Sequence, residues 1–175
     1  DINPLRSFLL PSVPNVRYLN VGHAITFDKE DDDNDLITYR GLTSKLGDST
    51  FSICNLIHLR HLDLTNGRID DPLLGSECID KFTNLNTLLI AGNNFTECNR
   101  NMINLPLIEI DVSRNDRLLI TNNINQTLDN CFSSRTLNKI IFQDSLHAIG
   151  SISDLICNKK NLEYISFRGS RNIKS

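Results

Sequence analysis

A chain of 175 residues has the length of one domain able to bury a core of its own. Its 39% hydrophobic and 22% charged residues are the proportions of a globular protein rather than a disordered one. A formal charge of −3 with both signs spread along the chain gives no basic face to neutralise phosphates, which argues against a nucleic-acid partner. No apolar run approaches the roughly 20 residues of a membrane-spanning helix, so no membrane insertion is expected; FLLPSV near the start is short and broken by Pro11. The chain opens on Asp1 with no signal-like segment before it, and reads as a piece of a longer or processed protein.

In chain order, the frame apolar-x-x-apolar-x-apolar recurs at Val16-Leu19-Val21, Leu59-Leu62-Leu64, Leu85-Leu88-Ile90, Leu107-Ile110-Val112, Leu137-Ile140-Phe142 and Leu162-Ile165-Phe167. The starts are 43, 26, 22, 30 and 25 residues apart. Three residues beyond each triplet stand Ala24, Gly67, Asn93, Asn115, Ser145 and Ser170, all small or Asn, as a tight turn out of a strand requires. A second self-similarity supports this register: ICNLIHLRHLDL (53–64) and ICNKKNLEYISF (156–167) agree at the same offsets, and IDKFTNLNTLLI (79–90) fits them. Apolar-x-apolar alternation gives short strands with one face inward. Such strands are too short to stand alone, so successive units must stack into a parallel sheet.

The intervening stretches are expected to return on the outer side as short helices, 3-10 turns or loops: 70–84, 120–136 and 148–161. In the last, Ile149, Ile152, Leu155 and Ile156 fall at helical spacing and predict an apolar helix face packed on the core. The long first interval holds an acidic run from Asp28 to Asp35, including Glu30, Asp31, Asp32 and Asp33, inside an insertion near 27–50. So many like charges require a solvated loop, either a passive rim or a docking site for a basic partner. The run lacks the spaced carboxylates and distal Glu of a calcium loop.

LIHLRHLDLTNGRI and LNTLLIAGNNF resemble the leucine-rich-repeat superfamily, whose frame is L-x-x-L-x-L-x-x-N-x-L with a period of roughly 20–29 residues. The resemblance covers about residues 8–175 and implies an α/β leucine-rich-repeat solenoid of about six repeats. In such a fold a curved parallel β-sheet forms the concave face, with short helices, 3-10 turns and loops on the convex face. The whole chain is then one such domain. Departures are visible: Asn93 and Asn115 are the sole ladder asparagines, and the last apolar position slips by one at Ile25, Leu118 and Ile173. This irregularity is closer to intracellular receptors and F-box-type repeat proteins than to regular cell-surface arrays.

Five cysteines, Cys54, Cys78, Cys98, Cys131 and Cys157, are an odd number that fits a disulfide framework poorly. Four of them precede the next apolar triplet by similar distances, on the inward side of the outer layer, where a free thiol serves as a small hydrophobe. Free thiols and a reducing compartment, cytoplasmic or nuclear, are therefore expected. The sequons Asn94-Phe95-Thr96 and Asn125-Gln126-Thr127 are no more than an Asn-rich chain shows by chance.

Little in the sequence carries catalytic chemistry. His58, His61 and Asp63 are close in sequence, but a zinc site needs further ligands, and none is apparent. No phosphate loop, nucleophile elbow or metalloprotease motif occurs, so a non-enzymatic protein with no cofactor is expected. What remains is the outward face of the sheet, where Tyr18, His61, Asp63, Leu89, Glu109, Asp111, Lys139, Ile141, Tyr164 and Arg168 are the candidate binding residues. Leu89 and Ile141 are apolar where solubility requires polarity, Tyr18 and Tyr164 are aromatic anchors, and the charges select partners. The function expected is a protein-interaction module binding a protein partner through the concave face. Three homes suit it: the repeat region of an intracellular immune receptor, the substrate-recognition part of a ubiquitin-ligase adaptor, or a structural subunit of a large assembly.

Overall fold

The computed structural model of the protein describes residues 15–20, 54, 56–67, 76–96, 98–116, 118, 131–132, 134–145, 150–151, 159–170 and 173–174. The acidic run at 28–35, Ala24, His147, Cys157, the second sequon and the stripe Ile149, Ile152, Leu155 and Ile156 lie outside these residues.

Six three-residue strands form one sheet: β1 (Tyr18–Asn20), β2 (His61–Asp63), β3 (Thr87–Leu89), β4 (Glu109–Asp111), β5 (Lys139–Ile141) and, later in the chain, β7 (Tyr164–Ser166). All pairs are parallel and neighbours in the sheet follow chain order, so each connection must leave the sheet and return beside the strand it left. Between β2 and β3 the return includes the short helix α1 (Ser76–Ile79), and between β3 and β4 a 3-10 turn, Arg100–Asn104, capped by Asn99 accepting from Asn101 N. A second, two-stranded sheet pairs β6 (Gly150–Ser151) with β8 (Ile173–Lys174). Within the stretch 148–161, Gly150 and Ser151 find backbone partners in β8. Among the described residues no helix is long and apolar enough to cross a membrane.

The sheet register coincides with the apolar frame. The middle residues Leu19, Leu62, Leu88, Ile110, Ile140 and Ile165 face one another across the six strands. The third residues Leu64, Ile90, Val112 and Phe142 are buried behind them, together with Phe82, Phe95, Phe132 and Met102 from the connections. Leu118, one position late in the frame, is buried as well, so the connection absorbs the slip. Burial weakens at the far edge: Leu162, Ile165 and Phe167 pack against the core while remaining partly exposed.

Two residues beyond the last five triplets the chain turns left-handed, at Asn66 (φ 54°), Gly92 (66°), Arg114 (52°), Asp144 (54°) and Gly169 (77°). Glycine is required at two of these for a further reason. A Cβ on Gly92 would meet the Asn66 amide oxygen, and one on Gly169 the Asp144 carboxylate. The side chain of one turn lies over the bare backbone of the next. One residue further on, the ladder positions close the polar accounts. Asn93 Nδ2 donates to the Leu64, Ile90 and Ala91 carbonyls at 2.9, 2.8 and 3.3 Å. Asn115 Nδ2 does the same to Ile90, Val112 and Ser113 at 2.9, 2.9 and 3.2 Å, while its oxygen accepts from Phe95 N. The Ser170 hydroxyl donates to the Phe142 carbonyl at 3.0 Å, a shorter reach for the same task.

The cysteine expectation is overturned. Cys54 is bonded to Cys78 and Cys98 to Cys131, with Cα atoms 4.7 and 4.9 Å apart. Cys54 and Cys78, which precede an apolar triplet by similar distances, are paired, whereas Cys98, which lacks that offset, pairs with Cys131. An odd total excludes only complete pairing.

Two predictions test this packing. Replacing Leu62, Leu88, Ile110 or Ile140 by Ala should each cost roughly 2–5 kcal/mol of stability, and Ile165→Ala less, since its site is partly open; Thr87→Ala should cost little in the same denaturant titrations. In denaturant without reductant, a thiol probe should leave Cys54, Cys78, Cys98 and Cys131 unlabelled, and replacing the Cys54–Cys78 pair by Ser should lower unfolding free energy by about 3 kcal/mol for a separation of 24 residues.

Candidate functional site

Since the middle residue of every strand points into the core, the residues on either side of it point out. Register then fixes two parallel rows across the sheet. The first runs Tyr18, His61, Thr87, Glu109, Lys139, Tyr164 and the second Asn20, Asp63, Leu89, Asp111, Ile141, Ser166. Neighbours in a row stand about 4.8 Å apart along the hydrogen-bonding direction.

In the first row the side chains engage one another. The Tyr18 ring stacks on His61 with centroids 5.7 Å apart, and Tyr18 is the most exposed large apolar residue of the described chain at 72%. Lys139 Nζ is 2.7 Å from Glu109 Oε1 and 5.7 Å from the centre of the Tyr164 ring. The charged hydrogen bond to Glu109 raises the Lys139 ammonium above its ordinary 10.5; attraction to Glu109, Tyr164 and Asp111 adds to this, and desolvation opposes it. Lys139 is therefore committed within the face, and its charge is offset there.

In the second row polar and apolar side chains alternate. Asp63 and Asp111 flank Leu89, and Ile141 follows, all half-buried. Each carboxylate accepts a backbone N–H two residues on, Thr65 N to Asp63 and Ser113 N to Asp111, both at 2.9 Å, which holds the Asp side chains beside the sheet. Neither Asp forms a close ion pair among the described residues, although Asp111 attracts the Lys139 ammonium. Beyond the strands, Ser113 Oγ accepts from Gln143 N at 2.8 Å and Gln143 Nε2 donates to Ser166 Oγ at 2.6 Å, while Arg168 is exposed past the end of β7.

The sequence-derived candidates thus separate into a centre and two edges. Asp63, Leu89, Glu109, Asp111, Lys139 and Ile141 occupy adjacent strands β2 to β5. Tyr18 and Tyr164 sit on opposite edges, five strand spacings or about 24 Å apart; they cannot form one anchor. The sequence reading missed Arg17, Arg60 and Ile108, which immediately precede β1, β2 and β4 and are exposed, Ile108 at 44%. It counted the positions flanking the second and third apolar residues, whereas these occupy the first x of the frame. Among the described residues no three His, Cys, Asp or Glu side chains are grouped to hold a metal ion.

The ion pair gives a pH-dependent test. Because the folded state raises the Lys139 value, the contribution of the pair is fully present below about 10.5 and is lost as pH rises through the folded value. Glu109→Gln should bring the Lys139 titration, followed by NMR at its Cε, down toward 10.5; an unchanged midpoint would remove Glu109 as the cause.

Compared with known proteins, the chain matches no protein-family model and no curated protein.

Proposed function

We propose that the chain is a leucine-rich-repeat solenoid that binds a protein partner through the outward sheet face and performs no catalysis. The observation that carries the reading is the second row, in which Asp63 and Asp111, each held by a backbone N–H, bracket half-buried Leu89 with Ile141 beyond. Solvation alone gives no reason for two large apolar side chains there, whereas an interface concentrates its energy in a few such anchors. The recurring frame, the in-register strands, the left-handed turn at one fixed offset and the ladder amides support the repeat architecture. With Lys139 offset by Glu109, the centre of the face is acidic, so the complementary partner presents apolar and basic side chains together.

Disulfide bonds form and persist in oxidising compartments. The pairs Cys54–Cys78 and Cys98–Cys131 therefore favour a secreted or lumenal home. The cytoplasmic or nuclear expectation rested on free thiols and loses that support, as do the two intracellular homes tied to it.

The test compares proteins cross-linked to the wild-type chain with those cross-linked to Leu89→Arg, Asp111→Lys and a charge-reversed 28–35 segment. Leu89→Arg should cost more than about 1–2 kcal/mol of binding, and Asp111→Lys should slow association and weaken its salt dependence. Binding that survives both and disappears with reversal of the acidic run would assign recognition to that run.

A further inference from the structure

We propose that Asn94 is a site of N-linked glycosylation. Asn94-Phe95-Thr96 is an acceptor sequon, and chance occurrence was the sole ground for setting it aside. The structure supplies two independent observations. Asn94 is exposed between buried Asn93 and buried Phe95, so the backbone that sends its neighbours into the core sends Asn94 out. Asp116, at the same offset in the following unit, is exposed too, which makes this a solvent-facing position of the frame. The second observation is the pairing of Cys98 with Cys131, which begins four residues after Asn94 and belongs to the compartment in which oligosaccharide is transferred to Asn.

The transfer acts on the chain before it folds, so the sequon needs both residues accessible only then. The folded protein must afterwards accommodate the sugar without unpacking, and an exposed Asn on a turn beyond the carboxyl end of β3 allows it. Asn94 Nδ2 attacks the anomeric carbon of an oligosaccharide carried on a lipid diphosphate. The N–C bond forms as the anomeric C–O bond breaks; the lipid diphosphate leaves with the bonding electrons, the amide loses one proton to base, and nothing is oxidised or reduced. Asn94 lies outside the row of Asp63, Leu89 and Asp111.

The inference rests on the oxidising home proposed above, and one experiment separates the two. The chain is secreted from eukaryotic cells, and its peptides are mapped without reduction after amidase removal of N-glycans in 18O-water, which converts a glycosylated Asn into 18O-labelled Asp. The expected result is labelled Asp at position 94. Asn94→Gln should lower the mass of the intact protein by one glycan, and so should Thr96→Ala, while Thr96→Ser should retain it. Unmodified Asn94 in a sample whose Cys98–Cys131 peptide is intact would overturn the site alone. Unmodified Asn94 with free thiols at 98 and 131 would overturn the site and the compartment together.

Discussion

Every strand of the main sheet is three residues long, and the structure depends on how the chain leaves it. A strand this short buries one side chain in its middle and must turn immediately, while its backbone is still surrounded by core. The turn residue adopts a left-handed conformation at Asn66, Gly92, Arg114, Asp144 and Gly169. That conformation lets the ladder continue: Leu64 N, Ile90 N, Val112 N and Phe142 N donate to the last residue of the next strand, and Asn66 N, Gly92 N, Arg114 N and Asp144 N donate to carbonyls two residues past it, at Ala91, Ser113, Gln143 and Arg168. The carbonyls left facing inward have no strand partner. An orphaned buried carbonyl costs on the order of 1–3 kcal/mol, and Asn93 and Asn115 each supply two amide hydrogens to remove that cost. Gly67 has no side chain but donates its own N–H to Leu64 O, the carbonyl that Asn93 Nδ2 also reaches.

The same register that stacks one row of side chains in the core lays two rows on the surface. Their character follows from geometry as much as from residue type. Glu109 and Lys139 are directly opposite across β4 and β5, so their charges cancel locally. Asp63 and Asp111 are separated by β3, whose residue at that level is Leu89, and so remain distinct charges on either side of an apolar step. A slip of one residue in β3 would place Leu88 outward and Leu89 in the core, removing both the packing and the patch.

Much of this was legible in the sequence because period and offset are the signals that a stacked sheet enforces. The apolar triplets place all six strands, and the two rows follow from alternation alone. Three things were not legible. The left-handed position is occupied by Asn, Gly, Arg and Asp, and Arg114 conceals a pattern that the other residues would have displayed. The strand at Gly150–Ser151 depends on its partner Ile173–Lys174, a contact more than 20 residues away that local helical spacing cannot report. Cysteine parity is a property of the whole chain, while pairing depends on which layer and which unit a cysteine occupies. Offsets that put Cys54 and Cys78 in one layer fit contact between them as well as burial.

The pairings also explain why uneven intervals are tolerated. Register is set by strands and turns, and the connections between them vary from 22 to 43 residues between triplet starts. Loop closure grows only with the logarithm of length, about 0.6 kcal/mol for each doubling, so the longer intervals cost little once the strands are docked. What a long connection lacks is a reason to lie down in one place. Cys54–Cys78 encloses β2 and Cys98–Cys131 encloses β4, each tying the connection before a strand to the connection after it. The connections around β2 and β4 are thereby stapled, and β3, which carries Leu89, lies between two strands whose flanks are covalently fixed. Leu89 and its register neighbours Asp63 and Asp111 thus lie on the three strands that the two disulfides flank.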